Sequence, residues 1–456
     1  MKLKDIIEEY ISGDWGNEDF SPETPCAVYC VRGADIVPIS NDQFNDIPLR
    51  YVSKRTKDNK TLRAGDLVIE KSGGSPVQST GRITYISQEL IDSKQSVVCS
   101  NFCTSIRIKD SWNSKFIYYY WQYIYNSGVF FNFEGKTSGL KNLQFDNAIS
   151  SIDIPEYTLE QQTEIADILS KLESKMTVNR EINRNLEAMA RQLYDYWFVQ
   201  FDFPDENGRP YKSSGGKMVW NEKLKRKIPE GWYAALMKDF LVIGNGKDHK
   251  DLETGIYPVY GSGGLMRYVN DFLFSGESVL LPRKGSLSNF MYVNEPFWTV
   301  DTMFYTKEKL KGAAKYIYYS MRYVDITRYD SGTGVPSMTS ISYYAMPFVK
   351  PTNDIVKLFD EILSPWIAQI KRNEVQIKNL TKQRDKLLPM LMNGQVSVMP
   401  SEVNCDLYLL QLSILLTFDH IVLHNIRTPQ QEGESCRGRW MVLPLSRGGC
   451  RLHRRS

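Results

Sequence analysis

Lys115–Ile124 reads KFIYYYWQYI, and Lys315–Val324 reads KYIYYSMRYV. The same lysine-led aromatic block thus returns 200 positions on. Upstream, Gly65-Asp66-Leu-Val-Ile-Glu-Lys-Ser-Gly73 has an echo in Gly276-Glu277-Ser-Val-Leu-Leu-Pro-Arg-Lys-Gly285. Downstream, Ile168 returns as Ile362, Asn179 as Asn373, Leu186 as Leu380 and Leu193 as Leu387, at a constant shift of 194. Solenoid units of about 20–50 residues are too short for this period. The repeat is a duplicated module: a mixed α/β segment followed by a long helix, twice over. Such a chain presents two similar surfaces separated by a helical spacer.

The periodicities place the pieces. Residues 1–155 carry strand-like runs at Asp66–Glu70, Arg82–Ile86 and Ser105–Ile108, and a helix over Ser114–Asn126. Thr158 and Gln161 have capping-box spacing, which opens a helix. With Ile165 at heptad position a, the a row reads Ile165, Leu172, Asn179, Leu186 and Leu193. The d row then reads Ile168, Lys175, Ile182, Met189 and Tyr196. This is a helix of roughly 40 residues, about 60 Å long. A connector rich in Gly, Ser and Lys follows, closing a helical region over 156–230. A second α/β module spans 231–350. A second long helix follows within 351–398, with Phe359, Ile362, Leu363, Trp366, Ile370, Asn373, Ile377, Leu380 and Leu387 on its apolar face. Gln369, Gln376 and Gln383 occupy its d positions and move apolar weight to the neighbouring row.

Residues 399–456 differ in kind, with seven arginines and no lysine. They have no counterpart in the repeat. They read as an appendage of the sort a frameshift or vector read-through produces, and are left out of the fold.

Bulk composition excludes several classes. At 456 residues the chain exceeds one core. The amphipathic start, Met1-Lys-Leu-Lys-Asp-Ile-Ile-Glu-Glu, is not a secretory signal. The longest apolar stretch, around Leu407–Phe418, is too short to span a bilayer. A cytoplasmic protein is expected. The net charge of +3 gives no global basic field, although a DNA binder can be basic only locally. Cys26/Cys30 and Cys99/Cys103 form C-x3-C pairs, looser than the usual zinc spacing. Buried free thiols are the expected reading, and zinc the alternative.

Catalytic constellations are hard to assemble. Outside the tail His249 is the lone histidine, which leaves little for histidine acid–base chemistry. Asp66 and Glu70-Lys71 superficially suit a nuclease, but also fit a plain exposed strand edge. Ser214-Gly-Gly-Lys217 and Glu134-Gly-Lys-Thr137 lack the other residues of a phosphate loop and read as surface turns. No Asn-Pro-Pro-Tyr/Phe or Asp-Pro-Pro-Tyr motif for amino-methylation is present. Binding is the better-supported chemistry. Lys71, Ser72, Gln78 and Arg82 cluster around one turn, and Lys136, Ser138, Lys141 and Asn142 around another. Arg283, Lys284, Ser331 and Thr333 sit at matching places in the second half. Such residues can hold phosphates and reach base edges.

The runs Glu160-Gln161, Asn179–Asn183, Leu186–Ala190 and Leu193–Pro204 resemble the central conserved region of specificity subunits of type I restriction-modification systems. Tyr211–Met218, Ile228–Trp232 and Lys386–Gly394 resemble the same family. With the duplication, the resemblance covers residues 1 to about 398. It implies two target-recognition domains, each reading one half of a bipartite duplex DNA sequence. It also implies two long helices packed as an antiparallel coiled coil. In such a seam Asn179 and Asn373 are expected to meet. The family's chains have no active site or cofactor of their own. Two methyltransferase subunits would supply S-adenosylmethionine chemistry, and a restriction subunit ATP- and Mg-dependent translocation. Two rivals remain: a fragment of a fused methylase–nuclease, and a coiled-coil scaffold that binds no DNA.

Overall fold

The computed structural model describes residues 1–73, 78–137, 140–332 and 334–396. Readings of the tail lie outside these residues. The first module is built on a four-stranded antiparallel sheet, in the order Ile7–Ser12, Cys103–Ile108, Leu67–Glu70, Ile83–Tyr85. The second repeats that order with Leu241–Asn245, Met303–Glu308, Glu277–Pro282 and Met291–Asn294. Each module adds a three-stranded sheet whose middle strand pairs antiparallel with one neighbour and parallel with the other. These middle strands are Cys26–Val31 and Thr254–Gly261. The duplication seen in the sequence is therefore a duplication of strand order and pairing.

The repeated lysine-led block explains itself. The helix Ser114–Asn126 forms as read, capped by Asn113, whose side chain accepts from the Phe116 N–H. Lys115 lies over the rings of Tyr85 (4.4 Å) and Tyr118 (5.0 Å) and pairs with Glu173 of the first long helix at 3.8 Å. Burial pushes its ammonium below the ordinary lysine value, and Glu173 partly offsets this. In the second module Lys315, on the helix Ala313–Ser320, is buried against Glu277 at 2.9 Å and pairs with Asp360 of the second long helix. In both halves this lysine ties the module to a carboxylate on a seam helix.

The long helices run over Leu159–Tyr194 and Asn353–Met392. The Thr158 capping box is present: the hydroxyl accepts from the Gln161 N–H at 3.2 Å, and the Gln161 side-chain Oε1 accepts from the Thr158 N–H at 3.0 Å. The helices pack antiparallel, since Asn179 bonds Gln376 while Asn183 bonds Asn373. Rows expected at position a face the seam: Ile165, Leu172, Asn179, Leu186 and Leu193, opposite Phe359, Trp366, Asn373, Leu380 and Leu387. The second row of the first helix differs from expectation. It is Leu169, Met176, Asn183, Ala190 and Trp197, one residue later than the d row. Ile168 is half-buried, and Ile182 and Met189 are 38% and 46% exposed. The charged Lys175 in the d row already argues against that row, because a seam has no room for an unpaired ammonium. The second helix uses the equivalent row, Leu363, Ile370, Ile377, Arg384 and Leu391; Ile362 is half-buried beside it.

The two seam asparagines do not bond each other. Asn179 donates to Gln376 at 2.8 Å, and Asn373 donates to Asn183 at 2.7 Å and accepts from Gln369 at 2.7 Å. The crossing places each asparagine about one turn from its repeat mate, so a glutamine and a second asparagine complete the network instead.

Two further readings are corrected. Glu134–Thr137 is a strand, antiparallel to Leu140–Leu143, rather than a turn. Asp66 and Glu70 are not on an exposed edge. They are 1% and 3% exposed, Asp66 just before and Glu70 at the end of a central strand, Asp66 held by Arg107 and Glu70 by Arg82. Ser214–Lys217 is a turn followed by extended chain, as read.

Candidate nucleic-acid interface

The candidate residues converge at the same corner of each module. After the central strand Leu67–Glu70, the chain turns under Phe102. The N–H groups of Lys71 and Ser72 both donate to the Phe102 carbonyl, at 2.8 and 3.1 Å. Ser72–Gly73 then pairs with Asn142 and Lys141, and Lys141 pairs across the hairpin with Lys136. The Ser72 hydroxyl donates to the Asn142 side-chain oxygen at 2.5 Å. Sequence-distant Ser72, Lys136, Lys141 and Asn142 thus share one small sheet, and the Lys71 carbonyl beside it accepts from the Leu143 N–H at 2.7 Å. Gln78 lies beside it, its carbonyl accepting from the Lys141 ammonium at 3.5 Å. Ser138 lies outside the described residues, as does the side chain of Lys136.

Not every cation here faces outward alone. Arg82 grips buried Glu70 with two hydrogen bonds of 2.8 and 2.6 Å, which hold its guanidinium further above its ordinary value. Lys141 pairs with Glu134 at 2.9 Å and lies 5.0 Å from the Phe131 ring. Glu134 also accepts from the Thr80 N–H at 2.8 Å.

In the second module the N–H groups of Arg283 and Lys284 both donate to the Thr302 carbonyl, at 2.8 and 3.3 Å. This is the contact that Lys71 and Ser72 make to Phe102. Lys284 pairs with Ser337, and the Arg283 carbonyl accepts from Met338. The Ser331 hydroxyl donates to the Ser337 carbonyl at 3.0 Å. Asp330 accepts from the N–H groups of Ser337 and Gly332, both at 2.8 Å, and these hold its carboxyl below the usual range. Arg283 and Lys284 are exposed and form no ion pair among the described residues. Thr333 lies outside the described residues.

Other residues of this corner escaped the sequence reading. The first-strand loop docks beside the turn: the Asp14 N–H donates to the Cys99 carbonyl at 2.7 Å, and the Trp15 N–H to the Asn101 side chain at 3.1 Å. In the second module the Lys247 N–H donates to the Thr299 carbonyl at 2.9 Å. Phe102 and Thr302 are separated by the same 200 positions as Lys115 and Lys315. Following the repeat back from the lysine helices would have found them.

The described cysteines are free, three of them buried. Burial pushes the Cys30 thiol up to about 12 and Cys103 to about 11. Among the described residues no three His, Cys, Asp or Glu side chains converge as a metal site would require. No helix among them is long and apolar enough to cross a membrane.

Comparison with known proteins points one way. Residues 35–188 match the family described as the type I restriction modification DNA specificity domain. The chain is 23% identical over 434 residues to the type I restriction enzyme MjaIX specificity subunit of Methanocaldococcus jannaschii, covering 87% of this chain and 93% of that one. It is 20% identical over 336 residues to the HindI specificity subunit of Haemophilus influenzae, covering 58% and 73%. Among solved structures it resembles the type I restriction-modification S subunit from M. genitalium, with a TM-score of 0.56 at 16% identity, over 86% of this chain and 95% of that one.

Proposed function

We propose that this chain acts as a specificity subunit of a type I restriction-modification system, and, from that premise, how it selects its DNA. Each module reads one half of a bipartite duplex target. The observation that carries this reading is the repeated corner, in which basic and hydroxyl side chains follow the central strand on a turn held by the same paired N–H contact to one carbonyl in both halves. Lys71, Ser72, Lys141 and Asn142 face the first half-site, and Arg283, Lys284 and Ser331 the second. Exposed ammonium and guanidinium groups hold phosphates, while amide and hydroxyl groups reach base edges.

The antiparallel helices set the distance between half-sites. The first module docks where the first helix begins and the second ends: Asn113 bonds Gln162, and the Tyr157 hydroxyl bonds the Leu391 carbonyl. The second module docks at the opposite end, where Tyr194 bonds Ser320 and Lys315 pairs with Asp360. The helical region also receives two methyltransferase subunits and, through them, a restriction subunit. S-adenosylmethionine, ATP and Mg belong to those partners, and this chain contributes recognition and geometry without catalysis.

The test is to express the chain with its methyltransferase partner and sequence the methylated sites. A bipartite motif is expected. Replacing residues 231–350 with the corresponding module of another specificity subunit should change one half of that motif alone. Changes in both halves, or methyl transfer by the purified chain by itself, would overturn the reading.

A further inference from the structure

The short helix Lys54–Lys60, of sequence KRTKDNK, buries none of its residues. It therefore adds nothing to the core. Its four basic residues, Lys54, Arg55, Lys57 and Lys60, outnumber its one acid, Asp58. Lys54 and Arg55 occupy the first turn, the positive end of the helix dipole, and no acid lies in that turn. A seven-residue helix is marginal by itself. This one is held by Ser53, whose hydroxyl caps the Thr56 N–H at 3.1 Å, and by Thr56, which donates to Asp14 at 2.9 Å. Lys60 donates to the Gly13 carbonyl at 3.1 Å. Lys54, Arg55 and Lys57 form no ion pair among the described residues. Three cations without an ion-pair partner, on a helix tethered only at its rim, are explained by an external anion.

Position identifies the anion's carrier. Ser53 and Thr56 line a cleft of about 360 Å³ together with Asp14, Trp15, Asn17 and Asn101. Asn101 begins the turn whose next residue, Phe102, anchors Lys71 and Ser72. Phe102 itself is 57% exposed at the apex of that turn, fixed by the two N–H groups on its carbonyl. The basic helix, the cleft and the recognition corner are thus one continuous surface. The second module has nothing similar: between Gly264–Val269 and Glu277–Pro282 its chain reads NDFLFSG, with no basic residue.

We propose that the first module alone carries an additional duplex-DNA contact, in which Lys54, Arg55 and Lys57 hold backbone phosphates and Phe102 makes an apolar contact with the bases of the first half-site. The proposal rests on the DNA-reading function above. It makes the two half-sites unequal, the first being held more by charge.

The experiment uses the complex of this chain with its methyltransferase partner, binding a duplex with the mapped target and a scrambled duplex across a salt series. The triple variant Lys54→Gln/Arg55→Gln/Lys57→Gln should reduce the magnitude of the log K against log salt slope by about 2.7, at roughly 0.9 per phosphate contact. It should weaken both duplexes by the same factor, leave the methylated sequence unchanged, and melt as wild type because the helix buries nothing. Phe102→Ala should leave the slope unchanged and lower target-to-scrambled discrimination about 5- to 100-fold, with relaxation confined to the first half of the methylated motif. A triple variant with the wild-type slope, or a Phe102→Ala complex with wild-type discrimination, overturns the proposal while the bipartite reading stands. A wild-type complex with no sequence preference overturns both.

Discussion

Arg82 shows why a basic residue near a recognition turn has to be judged by its partner. Its guanidinium makes a two-pronged contact with Glu70, whose side chain is 3% exposed. Removing one partner of a buried pair leaves an uncompensated charge, at a cost of about 3–5 kcal/mol. Arg82→Ala should therefore lower the melting temperature by many degrees, whereas Lys284→Ala, at an exposed and unpaired side chain, should leave it within about a degree. Glu70→Gln combined with Arg82→Met should recover much of the loss, because no net charge then stays buried. Thermal unfolding of the three variants and the wild type decides this; equal melting temperatures for Arg82→Ala and wild type would refute it. The sequence placed Arg82 at the right corner but could not reveal Glu70 as its partner. The two residues are 12 apart on neighbouring strands, and only strand pairing brings the carboxylate under the guanidinium. Phe102 went unread for the opposite reason. An exposed aromatic has no periodicity to betray it, and its significance comes from the turn that holds it.

At the scale of elements, the seam was legible in one row and misread in the other. Row a survives because Ile165, Leu172, Leu186 and Leu193 keep strict seven-residue spacing. The second row was ambiguous by one residue, since Ile168, Ile182 and Met189 are as apolar as Leu169, Met176 and Ala190. Lys175 against Met176 was the deciding difference. The polar residues that seemed to weaken the second helix turn out to complete the seam: Gln376 satisfies Asn179, and Gln369 satisfies Asn373. A satisfied network fixes register, and a half-satisfied one is costly. Asn373→Leu should thus destabilise by about 1–3 kcal/mol, because Asn183 and Gln369 lose their partner in a buried setting. The pair Asn179→Leu with Gln376→Leu removes both partners together and should be near neutral or stabilising. Denaturant unfolding of the two variants separates them. A double variant that costs as much as Asn373→Leu would show that these amides contribute more than register.

At the scale of the whole molecule, the two modules dock at opposite ends of one helix pair, so the length of that pair becomes a ruler. The 194-residue shift announced the duplication, but the antiparallel crossing and the docking contacts are visible only in three dimensions. Asn113 with Gln162 and Lys315 with Asp360 join residues far apart in the chain. The ruler can be lengthened without disturbing either end. A seven-residue insertion between Asn179 and Asn183, matched by one between Asn373 and Gln376, preserves the seam face and both polar pairs. Each heptad adds about 10.5 Å of helix. Duplex DNA rises about 3.4 Å per base pair, so the unspecified spacer of the methylated motif should grow by about 3 base pairs while both half-site sequences stay the same. An insertion in only one helix should instead throw the seam out of register and abolish methylation. Sequencing methylated sites in cells expressing each variant reads the spacer directly. An unchanged spacer in the doubly lengthened chain would mean that the distance between half-sites is set by the partner subunits, and that the helices carry the modules without measuring the DNA.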